Sequence, residues 1–284
     1  MKLIKDGSVD SNLLKLAWLL GFRSYMDSTP AELNAVLQEE WFQQGKLRAE
    51  IKGRPATAEE LELLKLLGCV DSIRIKPNVN YAGGLVFGGM MKAVNRRVGY
   101  LIKEAQLGFL IPKLLWFLAG TRPLNPEQEG PKSVPGIMAE TESMLGEAWC
   151  LAKWPTNETE VTEFVITFSG LGMITRPKVL HTVAYVDVKP PVNTNEPRRL
   201  RNPNTEDTIG RWLVESPSNG LYLLVSSQPW CWNQLQQAER VVKKAGRTGI
   251  KFDVCGPAAP PTIKLEQYLD DLSRRLKEEL MVLG

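Results

Sequence analysis

Gly83-Gly84-Leu85-Val86-Phe87-Gly88-Gly89 is a short apolar run that ends on two glycines, and Leu114-Leu115-Trp116-Phe117-Leu118-Ala119-Gly120 is a second run that also ends on glycine. Neither alternates apolar with polar. Unbroken apolar runs of this length read as strands covered on both faces, the kind found in parallel sheets. Between them Met90 to Lys103 reads as a helix. Strand, helix and strand in that order make a right-handed crossover unit. The rest of the chain continues the pattern. Phe164 to Phe168, Thr182 to Val188, Leu221 to Ser227 and Gly249 to Cys255 are four more strand candidates. Helices are expected from Ala139 to Lys153, from Trp230 to Ala245 and from Leu265 to Val282. Strands alternating with helices give an α/β fold with a mostly parallel sheet, here expected as a three-layer Rossmann-like arrangement.

Upstream of residue 80 the pattern is helical, and no strand pattern is present. Leu13, Leu14, Leu16, Ala17 and Leu20 form one apolar face. Thr29-Pro30-Ala31-Glu32 and Thr57-Ala58-Glu59-Glu60 each carry a capping box, and Gly68 is a natural stop after Leu61-Glu62-Leu63-Leu64-Lys65-Leu66-Leu67. This divides the chain into a helical extension or cap over 1–78 and a Rossmann-like domain with a C-terminal helix over 79–284.

The 284 residues, 43% hydrophobic and 24% charged, are ordinary for a globular chain that buries a core without staples. A net charge of +3 is too small to carry nucleic-acid binding. Cys69, Cys150, Cys231 and Cys255 have no paired spacing and His181 is the lone histidine, which argues against a structural zinc site and for reduced, buried thiols. The opening residues Met1 to Asn12 hold no apolar stretch suited to a signal peptide, and no run is long enough to span a membrane. The expected location is cytoplasmic. Asn157-Glu158-Thr159 fits the glycosylation pattern, which without a secretion signal reads as chance.

Ligands of open α/β sheets bind beyond the carboxyl ends of the strands, so the loops after Phe87, Leu118 and Val225 hold the candidate site. Gly88 and Gly89 let backbone approach a ligand, with Arg96 and Arg97 on the helix that follows. Gly120, Thr121 and Arg122 offer backbone donors, a hydroxyl and a guanidinium suited to carboxylate or phosphate. Glu140-Thr141-Glu142 suits the first turn of a helix, and Glu142 is also the candidate catalytic carboxylate. Asn204 or Thr205 can cap the helix that carries Trp212, beside Arg198, Arg199 and Arg201, and can equally face an anion. Ser226 and Ser227 end a strand, and Trp230 and Trp232 can stack on a flat ligand or pack internally. His181 would be the one histidine base, and a lone histidine near a strand start is usually structural. The sequence has no G-x-G-x-x-G, Walker loop, G-x-S-x-G or H-E-x-x-H.

The order of these elements resembles the YdcF-like and SanA-like proteins, a family of domains of unknown function. The resemblance runs over residues 80 to 256 and is carried by GGLVFGG with Arg96 and Arg97, LLWFLAGTRPL, Thr141-Glu142, Asn-Pro-Asn-Thr at 202–205 and LLVSSQPW. It implies a three-layer Rossmann-like fold and a ligand such as S-adenosylmethionine. Two features depart from the family. Pro229, Trp230, Cys231, Trp232 and Asn233 stand where members carry a histidine and an arginine, and Gly120-Thr121-Arg122 replaces a double glycine. Three functions follow. The first is binding of a small anionic or nucleotide-like ligand, S-adenosylmethionine or a nucleotide phosphate. The second is a transferase or hydrolase using Glu142 or Glu206 as base. The third is a protein-interaction module in which the helical extension and the tryptophans meet a partner.

Overall fold

The computed structural model describes residues 1–23, 27–43, 51–89, 91–120, 166–168, 173–182, 185–186, 200–201 and 204–283. Thr121, Arg122, Glu142 and the expected helix from Ala139 to Lys153 lie outside the described residues, as do residues 189–203 apart from Leu200 and Arg201. In chain order the first elements are β1 (Ile4–Lys5), β2 (Ser8–Val9), α1 (Ser11–Leu19), α2 (Pro30–Glu40) and α3 (Ala58–Leu66). Next come β3 (Gly83–Phe87), α4 (Met91–Gln106), β4 (Leu114–Gly120), β5 (Ile166–Phe168), β6 (Met173–Thr182), β7 (Tyr185–Val186) and β8 (Leu200–Arg201). The last are α5 (Thr205–Val214), β9 (Gly220–Val225), α6 (Cys231–Lys244), β10 (Ile250–Cys255) and α7 (Leu265–Leu283). The chain forms two compact units. One comprises Met1–Ile73, Ser227–Arg240 and Gly256–Gly284, and the other Arg74–Ser226 and Val241–Cys255. The change of pattern near residue 78 thus has a counterpart between Ile73 and Arg74, but the first unit also takes in two later segments.

The second unit is built on a six-stranded sheet of order β10-β9-β3-β4-β6-β5. The five strands from β10 to β6 are mutually parallel, and β5 runs antiparallel along β6. This is a mixed α/β fold compatible with a Rossmann-like one. Side chains alternate across the sheet. Leu115 and Phe117 of β4 join Val86, Leu223 and Val225 in a core with Val94, Val98, Leu101 and Ala105 of α4. Trp116, between them, instead meets Trp212 of α5 and Tyr222 of β9, with ring centroids 6.0 and 6.1 Å away. The leading glycines of β3 make room for these side chains. A Cβ on Gly83 would lie 2.4 Å from the Trp116 ring, and one on Gly84 would lie 2.6 Å from Leu115 Cδ2.

Two strand expectations need correction. The sequence predicts Phe164 to Phe168 as a further strand of the crossover series, but β5 pairs antiparallel with β6. Thr182 to Val188 was read as one strand. The central strand beside β4 is instead Met173–Thr182, and beyond it only the short β7 is described, paired with β8. Pro177 and the flanking Arg176 and Lys178 hide β6 from an apolar-run reading. Pro177 stands in register with Leu115 of β4.

The first unit has its own core. Leu13, Leu16 and Ala17 of α1, Leu33 and Leu37 of α2 and Leu64 of α3 pack with Leu265, Tyr268, Leu269, Leu272 and Leu276 of α7. Both capping boxes form as the sequence specifies, Thr29 with Glu32 and Thr57 with Glu60. Gly68 follows the end of α3 at φ +68°, a left-handed position glycine adopts without strain. The expectation of no strand before residue 80 is corrected by the β1–β2 hairpin. Its turn is Asp6-Gly7, both at positive φ, the Asp-Gly chemistry of a tight hairpin.

Glu60 does more than cap. Its buried carboxylate takes both Nη1 and Nη2 of Arg54, at 2.7 and 2.5 Å, and this pairing holds its pKa below the ordinary 4.5. A depressed carboxylate pKa adds stability above the unfolded value and loses it as pH falls through the folded value. Glu60→Gln keeps an N3 residue suited to the capping box and removes the charge. The expected result is a variant less stable than wild type at pH 7, with the gap closing below pH 4.5, measured by urea unfolding across pH. A gap that does not change with pH would assign the whole effect to packing.

Candidate functional site

The parallel strands follow the chain as β3, β4, β6, β9, β10. β4 and β6 lie on one side of β3, and β9 and β10 on the other. The strand order therefore reverses between β3 and β9, and the crevice outside such a reversal is where open α/β sheets bind ligands. The register brings Val86 beside Val225, so the carboxyl ends of the two strands deliver Phe87-Gly88-Gly89 and Ser226 side by side. Gly88 N–H donates to Leu118 O at 3.0 Å, and Ser226 N–H donates to Cys255 O at 3.0 Å, which ties both turns to the neighbouring strands. Ser226 is fully buried.

Behind the glycine turn lies Arg97. It sits on the α4 face that carries Val94, Val98 and Leu101 and is only 2% exposed. Its Nη1 donates to Phe87 O at 2.5 Å and to Gly88 O at 2.7 Å. Arg96 is partly exposed. Of the two arginines, Arg97 is the one shown on the turn's carbonyls. A Cβ at Gly89 would approach Arg97 Nη1 to 3.4 Å, so the guanidinium packs closely against that glycine.

No family model matches the sequence. No curated protein and no solved structure matches it either.

The other expected positions separate as follows. Gly120 is the last residue of β4, in register with Thr182, and Ala119 is in register with His181. His181 therefore stands near the carboxyl end of a parallel strand and not at a strand start. The sequence reading missed this because it began the strand at Thr182. Asn204 caps α5: its Oδ1 accepts from Asp207 N–H at 3.1 Å, and Asp207 Oδ2 accepts from Asn204 N–H at 2.8 Å. Thr205 opens that helix, and its carbonyl accepts from Thr208 Oγ1 at 3.0 Å. Capping thus accounts for the Asn204 side chain.

Ser227 belongs to the first unit, where its carbonyl accepts from Trp230 N–H at 3.0 Å. In the same unit Gln228 Nε2 donates to Gly68 O and Asp71 O, and Trp232 Nε1 donates to Gly68 O at 3.1 Å. That bond holds the Trp232 ring edge to the end of α3, the packing role for this side chain and not the stacking one. Other charged clusters of the second unit have structural partners. Glu104 holds Arg74 and Ile75 N–H, and Asp253 holds Lys76 and Tyr81 Oη. Among the described residues no group of His, Cys, Asp and Glu side chains is placed to hold a metal ion, and Cys69, Cys231 and Cys255 are buried. Burial pushes the Cys69 thiol up to about 12. No described helix is long and apolar enough to cross a membrane.

The described edge offers the Gly89 main chain, a serine and a buried cation. Such groups can hold a polar or anionic group. Proton transfer would need a titratable side chain in addition.

Proposed function

We propose that the chain is a YdcF-like cytosolic protein that binds a small anionic or nucleotide-like ligand, S-adenosylmethionine or a nucleotide phosphate. The site is the carboxyl edge of a three-layer Rossmann-like domain. The observation that carries this reading is the reversal of strand order between β3 and β9, where Gly88-Gly89 and Ser226 end the two strands. Gly88, Gly89 and Gly120 supply close backbone contacts, Thr121 and Ser226 supply hydroxyls, Arg122 holds the negative group and Glu142 holds a hydroxyl or amine.

The test is a thermal-shift and calorimetric titration with ATP, S-adenosylmethionine and adenosine. At a ligand concentration about a hundredfold above Kd, linkage stabilises the folded state by about 2.7 kcal/mol, so a true ligand raises Tm by several degrees. Arg122→Ala is expected to abolish the shift. A shift that survives Arg122→Ala and Glu142→Ala together places the ligand elsewhere, and no shift with any probe removes the reading.

An enzymatic version, a transferase or hydrolase, gains one observation beyond the Glu142 and Glu206 of the sequence, the position of His181 beside Ala119 at the carboxyl end of β6. In that version product appears during the same titrations, and His181→Ala binds the ligand without turning it over.

A further inference from the structure

We propose that Arg97 is the positioning residue of this site, setting the Gly88–Gly89 turn to receive the negatively charged group of the ligand. The inference rests on the binding function just proposed. It starts from two hydrogen bonds made by one atom: Arg97 Nη1 takes both Phe87 O and Gly88 O.

The peptide unit is planar and trans, so its C=O and N–H point in opposite directions. Fixing Phe87 O on Arg97 aims Gly88 N–H the other way, and that N–H meets Leu118 O at 3.0 Å. Fixing Gly88 O on the same Nη1 likewise aims Gly89 N–H away from the guanidinium. The turn is therefore held in one orientation, with its carbonyls drawn back onto a buried cation, the Gly88 N–H spent on Leu118 O and the Gly89 N–H directed away from the guanidinium. Carbonyl oxygens facing an anion would repel it. Withdrawing them and backing the turn with a guanidinium charge, which stays protonated at any working pH, biases the site toward negative charge.

Gly89 fits the same device, because its Cα side lies against Arg97 Nη1 and a Cβ there would approach to 3.4 Å. Arg97 thus acts through the backbone. It orders the groups that touch the ligand and need not touch the ligand itself. Burying an arginine at 2% exposure to hold two main-chain carbonyls is costly unless the bonds are made well.

The experiment compares wild type, Arg97→Met and Arg97→Lys by two readouts. The first, without ligand, is amide hydrogen exchange at Gly88 and Gly89. The second is the Kd for ATP, whose charge is on phosphate, for S-adenosylmethionine, which joins a carboxylate to a sulfonium, and for neutral adenosine. Near-UV circular dichroism confirms that each variant is folded, and should Arg97→Met fail to fold, Arg97→Lys carries both readouts.

Arg97→Met is expected to speed exchange at Gly89 and to weaken the anionic probe that wild type prefers at least tenfold, with adenosine changed less than twofold. Arg97→Lys, whose ammonium can reach one carbonyl, is expected to recover part of both. Preference for ATP assigns the bound group as phosphate, and preference for S-adenosylmethionine assigns it as carboxylate. Equal losses for all three probes would make Arg97 a purely structural residue and overturn the inference, as would an unchanged Kd for the charged probes. A wild-type protein that binds none of them removes the binding function itself. In that event exchange at Gly89 still decides the turn, and unchanged exchange overturns the role of Arg97 there too.

Discussion

Replacing Trp212 with alanine is expected to cost the second unit about 3–5 kcal/mol, the range for removing a large buried aromatic. Trp212 is fully buried on α5 and is the hub of an aromatic cluster. Its ring meets Tyr222 edge-on at 4.9 Å, Trp116 at 6.0 Å and Phe252 at 6.0 Å, so one side chain ties α5 to β4, β9 and β10. Each well-oriented aromatic pair adds about 0.5–1.5 kcal/mol beyond area burial. The backbone is unsuited to closing the gap, because the glycine at 83 already lets Trp116 lie against β3 and offers no side chain to fill the space.

Trp212→Phe separates ring packing from volume. The indole Nε1 is buried with no hydrogen-bond partner among the described residues, so phenylalanine loses no bond and leaves a smaller cavity. The expected order in urea unfolding is wild type, then Trp212→Phe at about 1–2 kcal/mol, then Trp212→Ala at about 3–5 kcal/mol. An alanine variant within about 1 kcal/mol of wild type would mean that α5 is not anchored through this ring.

Helix ends were the most legible part of the fold, because capping chemistry is local. Thr29 with Glu32 and Thr57 with Glu60 close the boxes their spacing specifies, and Asn204 does the same with Asp207. β3, β4, β9 and β10 were legible because strands covered on both faces need unbroken apolar runs. β6 was not, because six of its ten residues are polar or proline and its place depends on β4, more than fifty positions back in the chain. The order of the strands is likewise a product of long-range pairing, which no local pattern encodes. That order places the Gly88–Ser226 edge at the reversal between β3 and β9. Arg97 illustrates a signal present but not used. Val94, Arg97, Val98, Leu101 and Ala105 share one helical face by spacing, and the structure buries all five. An arginine on the apolar face of a helix has to find acceptors, and Arg97 bonds to the carbonyls where β3 ends.

Glu279→Ala is expected to lower the stability of the first unit by about 2–6 kcal/mol, from two buried N–H groups that lose their acceptor at about 1–3 kcal/mol each. The Glu279 carboxylate projects from α7 and accepts from Leu3 N–H at 2.8 Å, from Ile4 N–H at 2.8 Å and from Gln236 Nε2 at 2.7 Å. It is the polar joint that docks the β1–β2 hairpin on the C-terminal helix, while Leu3, Ile4 and Val9 supply the apolar part. Water cannot readily replace the lost acceptor, because Leu3 is fully buried and Ile4 nearly so.

Glu279→Gln keeps one acceptor oxygen and turns an amide N–H₂ toward two donors, so it should fall between wild type and alanine. Hydrogen exchange locates the effect. Leu3 and Ile4 amides should lose protection in Glu279→Ala while amides of β3, in the other unit, keep theirs. Equal loss in both units would show that they unfold as one cooperative body. A cost below about 1 kcal/mol would show that the hairpin is held by its apolar contacts alone.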